Sequence, residues 1–180
     1  MTPDFTRNHF ELFGLPVSFA IDLERLDRDY REVQGRVHPD RFAAAPESDR
    51  RLSMQWATQA NEAYRTLREP LLRARYLLGL KGYDTAEEDN TAMPADFLME
   101  QMDWREQAAD ARAAKDIAAL KALGKSIAAK RAAMHEDLGK SLGSTGNYEA
   151  ACVLVRKLRF LDKLGEELLD AVHGIEDAAR

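Results

Sequence analysis

Apolar residues in this chain return every three or four positions over long stretches, and alternating, strand-like patterns are weak beside them. That spacing matches the helical turn and gathers apolar side chains into one stripe per helix. Leu23, Leu26, Tyr30, Val33 and Val37 make one stripe. Leu52, Trp56, Ala60, Ala63, Tyr64 and Leu67 make a second, and Leu154, Leu158, Leu161, Leu168 and Val172 a third. The fold class read from this pattern is all-α.

Punctuation between the stripes sets the expected elements. A short helix near NHFELFG stops at Gly14 and Pro16. Asp22 caps a helix that runs to about Val37. The segment HPDRFAAAPESD reads as a loop, because a residue before proline is pushed out of helical geometry. A long helix follows over about Ser48–Arg68. Glu69-Pro70 breaks it, and PLLRARYLLGL restarts with Pro70 near its first turn, where a missing N–H costs little. Leu71, Leu72, Tyr76 and Leu77 are expected to pack this helix down. KGYDTAEEDNTAMP mixes Gly, acids, Asn and Pro, and reads as a linker over 81–94. Three more helices are expected at about Ala95–Ala114, Asp116–Ser141 and Asn147–Val172, with LGSTGN as the last turn. Three helices on short connections suggest an antiparallel bundle.

Charge and cysteine usage exclude several classes. The net charge is −5 over 180 residues, so the surface as a whole is not built for nucleic acid. Residues 1–80 carry twelve Arg, no Lys and twelve acids, and the deficit lies entirely in residues 81–180. With Cys152 as the only cysteine, no internal disulfide or CxxC motif is possible. Neither a secretory signal nor an Arg- and Ser-rich presequence is apparent, and no apolar run approaches the ~20 residues of a membrane span. The expectation is a cytoplasmic protein with no membrane or nucleic-acid partner.

Between the second and third helices lies RVHPDRF, Arg36 to Phe42, with the only His-Pro-Asp of the chain. A catalytic His38/Asp40 pair would need a shared hydrogen bond and a substrate pocket. A proline holds the two apart, and no nucleophile or phosphate loop lies nearby. A metal site would need more ligands at close spacing, and His9, His135 and His173 are scattered. A metal-dependent hydrolase using His38, Asp40 and His135 is the enzymatic alternative. The third reading is a contact point at the tip of a helical hairpin. Proline limits the loop's shape and so the entropy lost on docking, and Asp40 offers a carboxylate to a partner's arginine. Arg25, Arg28, Arg31 and Arg36 lie off the apolar stripe of the preceding helix, diluted by Asp27, Asp29 and Glu32.

Helix, His-Pro-Asp loop, then a helix containing NEAYRTL resembles a J-domain over about residues 8–80. The resemblance implies docking to a DnaK-type chaperone and stimulation of its ATPase. His38, Pro39 and Asp40 would be the trigger, and Arg28, Arg31 and Arg36 the basic contact surface. The Gly/Phe linker and paired-cysteine modules of general-purpose relatives are missing, so the second part must serve another purpose.

Its first helix, ADFLMEQMDWREQAADA, has two apolar sides at 100° per residue. Phe97, Trp104, Ala108 and Ala111 share one side. Leu98, Met99 and Met102 fall largely on the other, rimmed by Asp103, Arg105 and Glu106. Such a helix is either sandwiched or keeps one face for a partner, and methionines suit an adaptable contact. Phe160 lies at the edge of the last helix's stripe, beside Arg156, Lys157 and Arg159.

FELFGLP, HPDRF, NEAYRTLREPLLRARYLLGLKGYD, FLMEQMDWREQ and VRKLRFLDKL, in this order, resemble the HscB family of bacterial iron–sulfur assembly. The resemblance implies a non-enzymatic co-chaperone without cofactor or metal, whose partners are the DnaK-like chaperone HscA and the scaffold IscU. The scaffold-binding positions would be Leu98, Met99, Met102, Asp103, Glu106 and Phe160. Arg41 stands where lysine is common, and Met102-Asp103 where Leu-Glu is more usual. The N-terminal cysteine module of eukaryotic members is missing, which points to a bacterial source. A J-domain protein serving another client is the alternative. Cys152 is expected in bundle packing. The expected architecture is an N-terminal J-domain helical hairpin (1–80), a linker (81–94) and a C-terminal three-helix bundle (95–180), in an L-like arrangement.

Overall fold

Asn8 opens the first helix with its own side chain. Its Oδ1 accepts from the Glu11 N–H at 3.0 Å, and the Glu11 carboxylate accepts from the Asn8 N–H at 3.0 Å. This reciprocal capping stabilises α1 (His9–Leu12), a helix too short to persist alone. The computed structural model describes residues 6–37, 42, 45–85 and 93–178, and all regular elements among them are helices. They are α1, α2 (Leu23–Val37), α3 (Glu47–Arg68), α4 (Pro70–Leu80), α5 (Ala95–Ala113), α6 (Ile117–Leu142) and α7 (Tyr148–Ala178). Two compact units divide between Lys81 and Gly82.

In the first unit, α2 and α3 pair along their stripes, and α1 and α4 pack on α3. Asp22 caps α2 as its position suggests, accepting from the Arg25 N–H at 3.0 Å. Gly14 takes a positive φ of 60° after α1, a turn that lets Leu15 bond back to the Phe10 carbonyl at 2.9 Å. Phe10, Leu26, Ala63, Leu67, Ala74 and Leu78 are sealed from solvent. Pro70 occupies the start of α4.

The periodic readings need correction at stripe edges. Leu23 and Leu52 are exposed, and Trp56 and Tyr64 half-buried. Ser53, one position round from Leu52, is the buried residue. In α4 the buried set is Arg73, Ala74, Leu77 and Leu78, while Leu71, Leu72 and Tyr76 are half-buried. A buried arginine breaks the usual rule because the end of α3 supplies an acceptor. Arg73 donates to the Leu67 carbonyl at 2.8 Å and lies 5.1 Å from the Phe19 ring centre. Burial lowers its pKa from the usual arginine value.

The second unit is a three-helix bundle. α6 and α7 make its longest contact, and α5 lies against both. Leu120, Ile127, Leu161, Leu164, Leu168 and Val172 fill the interior around Phe97. Leu154 is only half-buried, whereas Ala151, Cys152 and Val155 are buried in its place. α7 continues past Val172 because Ile175 still packs on the core and Glu176 pairs with Lys121 at 2.9 Å. Lys115 adopts a φ of 53° at the α5–α6 turn, a left-handed position usually given to glycine. Within 82–85, Tyr83 packs on Tyr148 at 5.2 Å, and the Thr85 carbonyl accepts from Arg156 at 3.2 Å.

Burial sets a pH dependence. His135 is held below its ordinary pKa of 6.5, mainly by desolvation and despite the nearby Asp162 carboxylate. A lowered folded-state pKa means that the unfolded chain binds the proton more readily. The stability this neutral histidine contributes is full above 6.5 and is lost as pH falls below it. His135→Gln should therefore flatten the fall in urea midpoint between about pH 7 and pH 5, measured by circular dichroism. An unchanged slope would assign the acid sensitivity elsewhere.

Candidate functional site

Two surfaces follow from these elements, one in each unit. The first is the α2–α3 pair. Tyr30 and Tyr64 stack at 3.9 Å between the helices. Tyr64 donates its hydroxyl to Asp27 at 2.9 Å, and Arg68 donates to the same oxygen at 2.5 Å. Those bonds, Arg68 foremost, hold the Asp27 carboxyl below the usual aspartate range. One turn on, the Asn61 carbonyl oxygen accepts from the Tyr30 hydroxyl at 2.9 Å and from Gln34 at 2.8 Å. Asp27 therefore faces α3 and is engaged chiefly by Arg68 and Tyr64, with the Arg31 charge a smaller influence.

Those arginines are not equivalent. Arg28 and Arg31 stand exposed. Arg36 is exposed too, but its guanidinium is shared with Glu32 one turn back. Arg25 bonds the Gly14 carbonyl at 2.9 Å and pairs with Asp29 at 3.4 Å, so it ties α2 to the preceding turn. His38, Pro39, Asp40 and Arg41 lie outside the described residues, and the structure describes what flanks them. The buried Ser53 hydroxyl donates to the Val37 carbonyl at 2.8 Å, which fixes the last turn of α2 directly before the tripeptide. Periodicity misses Ser53, because small polar residues carry no stripe signal. The clue is a serine opposite the last apolar residue of the partner helix.

The second surface is on α5. Phe97 is 1% exposed, while Leu98, Met99 and Met102 are 41%, 62% and 71% exposed. Asp103 and Glu106 are exposed on the same outward side, at 240° and 180° when the helix is wound from Phe97. Phe160 differs in kind from the others. It is half-buried on α7, 5.9 Å from the Phe97 ring and 6.4 Å from the Trp104 ring. Its remaining face carries the Arg105 guanidinium at 5.5 Å. Two lysines complete the aromatic cluster: Lys157 lies 5.0 Å from the Phe97 ring centre and Lys130 lies 5.1 Å from that of Trp104. Lys130 also bonds Glu100 at 2.5 Å. Sequence reading places Lys157 beside Phe160 but has no reason to single out Lys130, since a lone lysine on α6 looks like any solvated charge.

Nothing among the described residues assembles three or more His, Cys, Asp or Glu side chains around a metal position. His135 lies near Asp162 and Arg131, which bond each other at 2.9 Å. Cys152 is buried, and burial pushes its thiol pKa up, opposed by nearby Arg156. No described helix is long and apolar enough to cross a membrane.

Residues 93–169 match the family model of the HSCB C-terminal oligomerisation domain. A co-chaperone protein HscB homolog from Burkholderia multivorans is 50% identical over 94% of this chain and 96% of its own. The chaperone HscB from Vibrio cholerae superposes with a TM-score of 0.82 at 39% identity, over 94% of this chain and 99% of that one. Human co-chaperone HscB gives 0.87 at 30% identity, over 93% and 83%. The class so defined is that of co-chaperones, which work with another chaperone. The chain belongs to the HscB family of co-chaperones.

The Ser53 bond yields an expectation for stability. Ser53→Ala leaves the Val37 carbonyl without that donor in a buried position, which costs about 1–2 kcal/mol. Urea unfolding followed by circular dichroism measures it, and an unshifted midpoint would show that the bond contributes nothing net.

Proposed function

We propose that this chain is a cytoplasmic J-domain co-chaperone that delivers an IscU-type iron–sulfur scaffold to HscA and stimulates that chaperone's ATPase. In this reading residues 1–80 form the J-domain, 81–94 the linker and 95–180 the scaffold-binding bundle. The carrying observation is the outward face of α5, with Leu98, Met99 and Met102 open to solvent one residue from the sealed Phe97. Exposed apolar side chains grouped on one helix lose hydration favourably when a partner covers them, at ~1–3 kcal/mol for each well-buried anchor. Asp103 and Glu106 edge that face with negative charge, which selects orientation more than affinity.

At the other end of the mechanism, His38, Pro39 and Asp40 meet the chaperone, with Arg28, Arg31 and Arg36 steering an acidic surface. ATP hydrolysis belongs to HscA. The co-chaperone's part is differential binding: contacts made more strongly with the hydrolysis-competent state of HscA shift its population and so its rate. Simultaneous engagement of scaffold and chaperone raises the local concentration of one for the other.

His38→Gln should abolish stimulation of HscA ATPase, measured as steady-state phosphate release with and without scaffold. Stimulation equal to the unaltered protein would sink the trigger assignment. The combined Leu98→Ala/Met102→Ala/Phe160→Ala protein should bind IscU at least tenfold more weakly in a calorimetric titration, each lost anchor counting for ~1–3 kcal/mol. Its scaffold-free stimulation of HscA should persist. Unchanged scaffold affinity, with capture of a different client, would favour a J-domain protein of another pathway.

A further inference from the structure

The geometry points to Lys130 as a positioning residue for the scaffold-binding face, acting through Glu100 and Trp104 without touching the scaffold. This deepens the proposed function and rests on its assignment of Leu98, Met99 and Met102 as the contact.

The reason is how little holds α5. Of its nineteen residues only Phe97 and Ala111 are buried. A helix attached along so narrow a line has a weakly determined rotation about its own axis. That rotation decides where Leu98, Met99 and Met102 point. Side chains reaching ~6 Å from the axis move about 2 Å for a 20° roll, whereas a binding constellation needs placement within roughly 0.5 Å.

Trp104 and Ala108 are partly buried beside that seam, and Arg112 bonds the Glu167 carbonyl of α7 at 3.2 Å near the far end of α5. Around Leu98 and Met102 two flanking grips limit the roll, one from each neighbouring helix. On the α7 side, Phe160 meets the Phe97 and Trp104 rings, and Lys157 lies over Phe97. On the α6 side, Lys130 bonds Glu100 at 2.5 Å and sits 5.1 Å from the Trp104 ring centre. Glu100 and Trp104 are one turn apart on the edge of α5 opposite to Leu98, at 300° and 340° from Phe97 against 100° for Leu98. One ammonium thus engages two successive turns of α5. Removing it takes the charged α6 grip from the turns beside Leu98 and leaves only the α6–α5 packing around Leu120, Leu123 and Ile127 to resist a roll on that side. The apparent scaffold affinity then falls by the fraction of molecules in the presenting rotation.

The test titrates full-length protein with IscU for four variants: Lys130→Met, Lys130→Arg, Glu100→Gln, and Leu98→Ala/Met102→Ala, which changes the contact face and leaves the Phe160 grip in place. Lys130→Met should weaken binding roughly three- to tenfold, with scaffold-free stimulation of HscA unchanged. Glu100→Gln should weaken binding in the same direction, and Lys130→Arg should restore it. Rescue by arginine separates a charge-dependent grip from simple packing, and the variant at the half-buried Glu100 carries the test should Lys130→Met fold poorly. Normal affinity in Lys130→Met or Glu100→Gln, beside a weakened Leu98→Ala/Met102→Ala variant, overturns the positioning role and spares the proposed function. Failure of Lys130→Arg to restore binding also overturns it. Normal affinity in Leu98→Ala/Met102→Ala removes the scaffold face itself, and this inference with it.

Discussion

Phe97 is the contact on which the second unit turns. Its ring meets Trp104 of its own helix nearly edge-on and Phe160 of α7 likewise, at interplanar angles of 75° and 82°. Edge-to-face packing aligns the positive rim of one ring with the negative face of another, so it is directional in a way aliphatic packing is not. Ala111 is the other buried residue of α5, and Trp104 and Ala108 are partly buried beside the two, so the seam is narrow. A wider stripe would have held the helix more firmly and would have drawn Leu98 inward. The narrow seam leaves most of the circumference free to meet another protein.

The first unit solves a related problem with different chemistry. α2 carries little aliphatic burial, with only Leu26 and Val37 sealed. The Tyr30–Tyr64 stack and the hydrogen bonds of Asp27, Asn61 and Gln34 fix its pairing with α3. The pairs Arg25–Asp29 and Arg36–Glu32 are solvent-exposed and contribute little to stability. They do redistribute charge, leaving Arg28 and Arg31 as the less encumbered cations on the outward side. Both units thus keep a polar or apolar display surface separate from the contacts that hold the helices.

Helix number and type were legible because Asp22, Pro70, Gly14 and the three-four spacing act locally. What was not legible depends on neighbours distant in sequence. Leu52 and Ser53 differ in burial because the α2 carbonyl of Val37 waits on one side only. Arg73 is buried because an orphan carbonyl at the end of α3 needs a donor. α7 outruns its apparent stripe because Ile175 and Glu176 find partners on the bundle. The exposure of Leu98, Met99 and Met102 accords with the two-sided winding of α5, whereas Phe160 proved to be part of the packing that supports the helix. The His-Pro-Asp tripeptide lies outside the described residues, and of its surroundings the flanking helices α2 and α3 were legible while their tie through Ser53 was not.

Cys152 has a consequence for redox chemistry. The thiolate is the form that attacks disulfides, reacts with oxidants and binds soft metals. In this chain the only thiol is buried and biased toward its protonated form. Such a side chain is a poor site for sulfenylation, for mixed disulfides and for stray iron or copper. The one thiol of this chain is therefore held back from all three reactions by its burial.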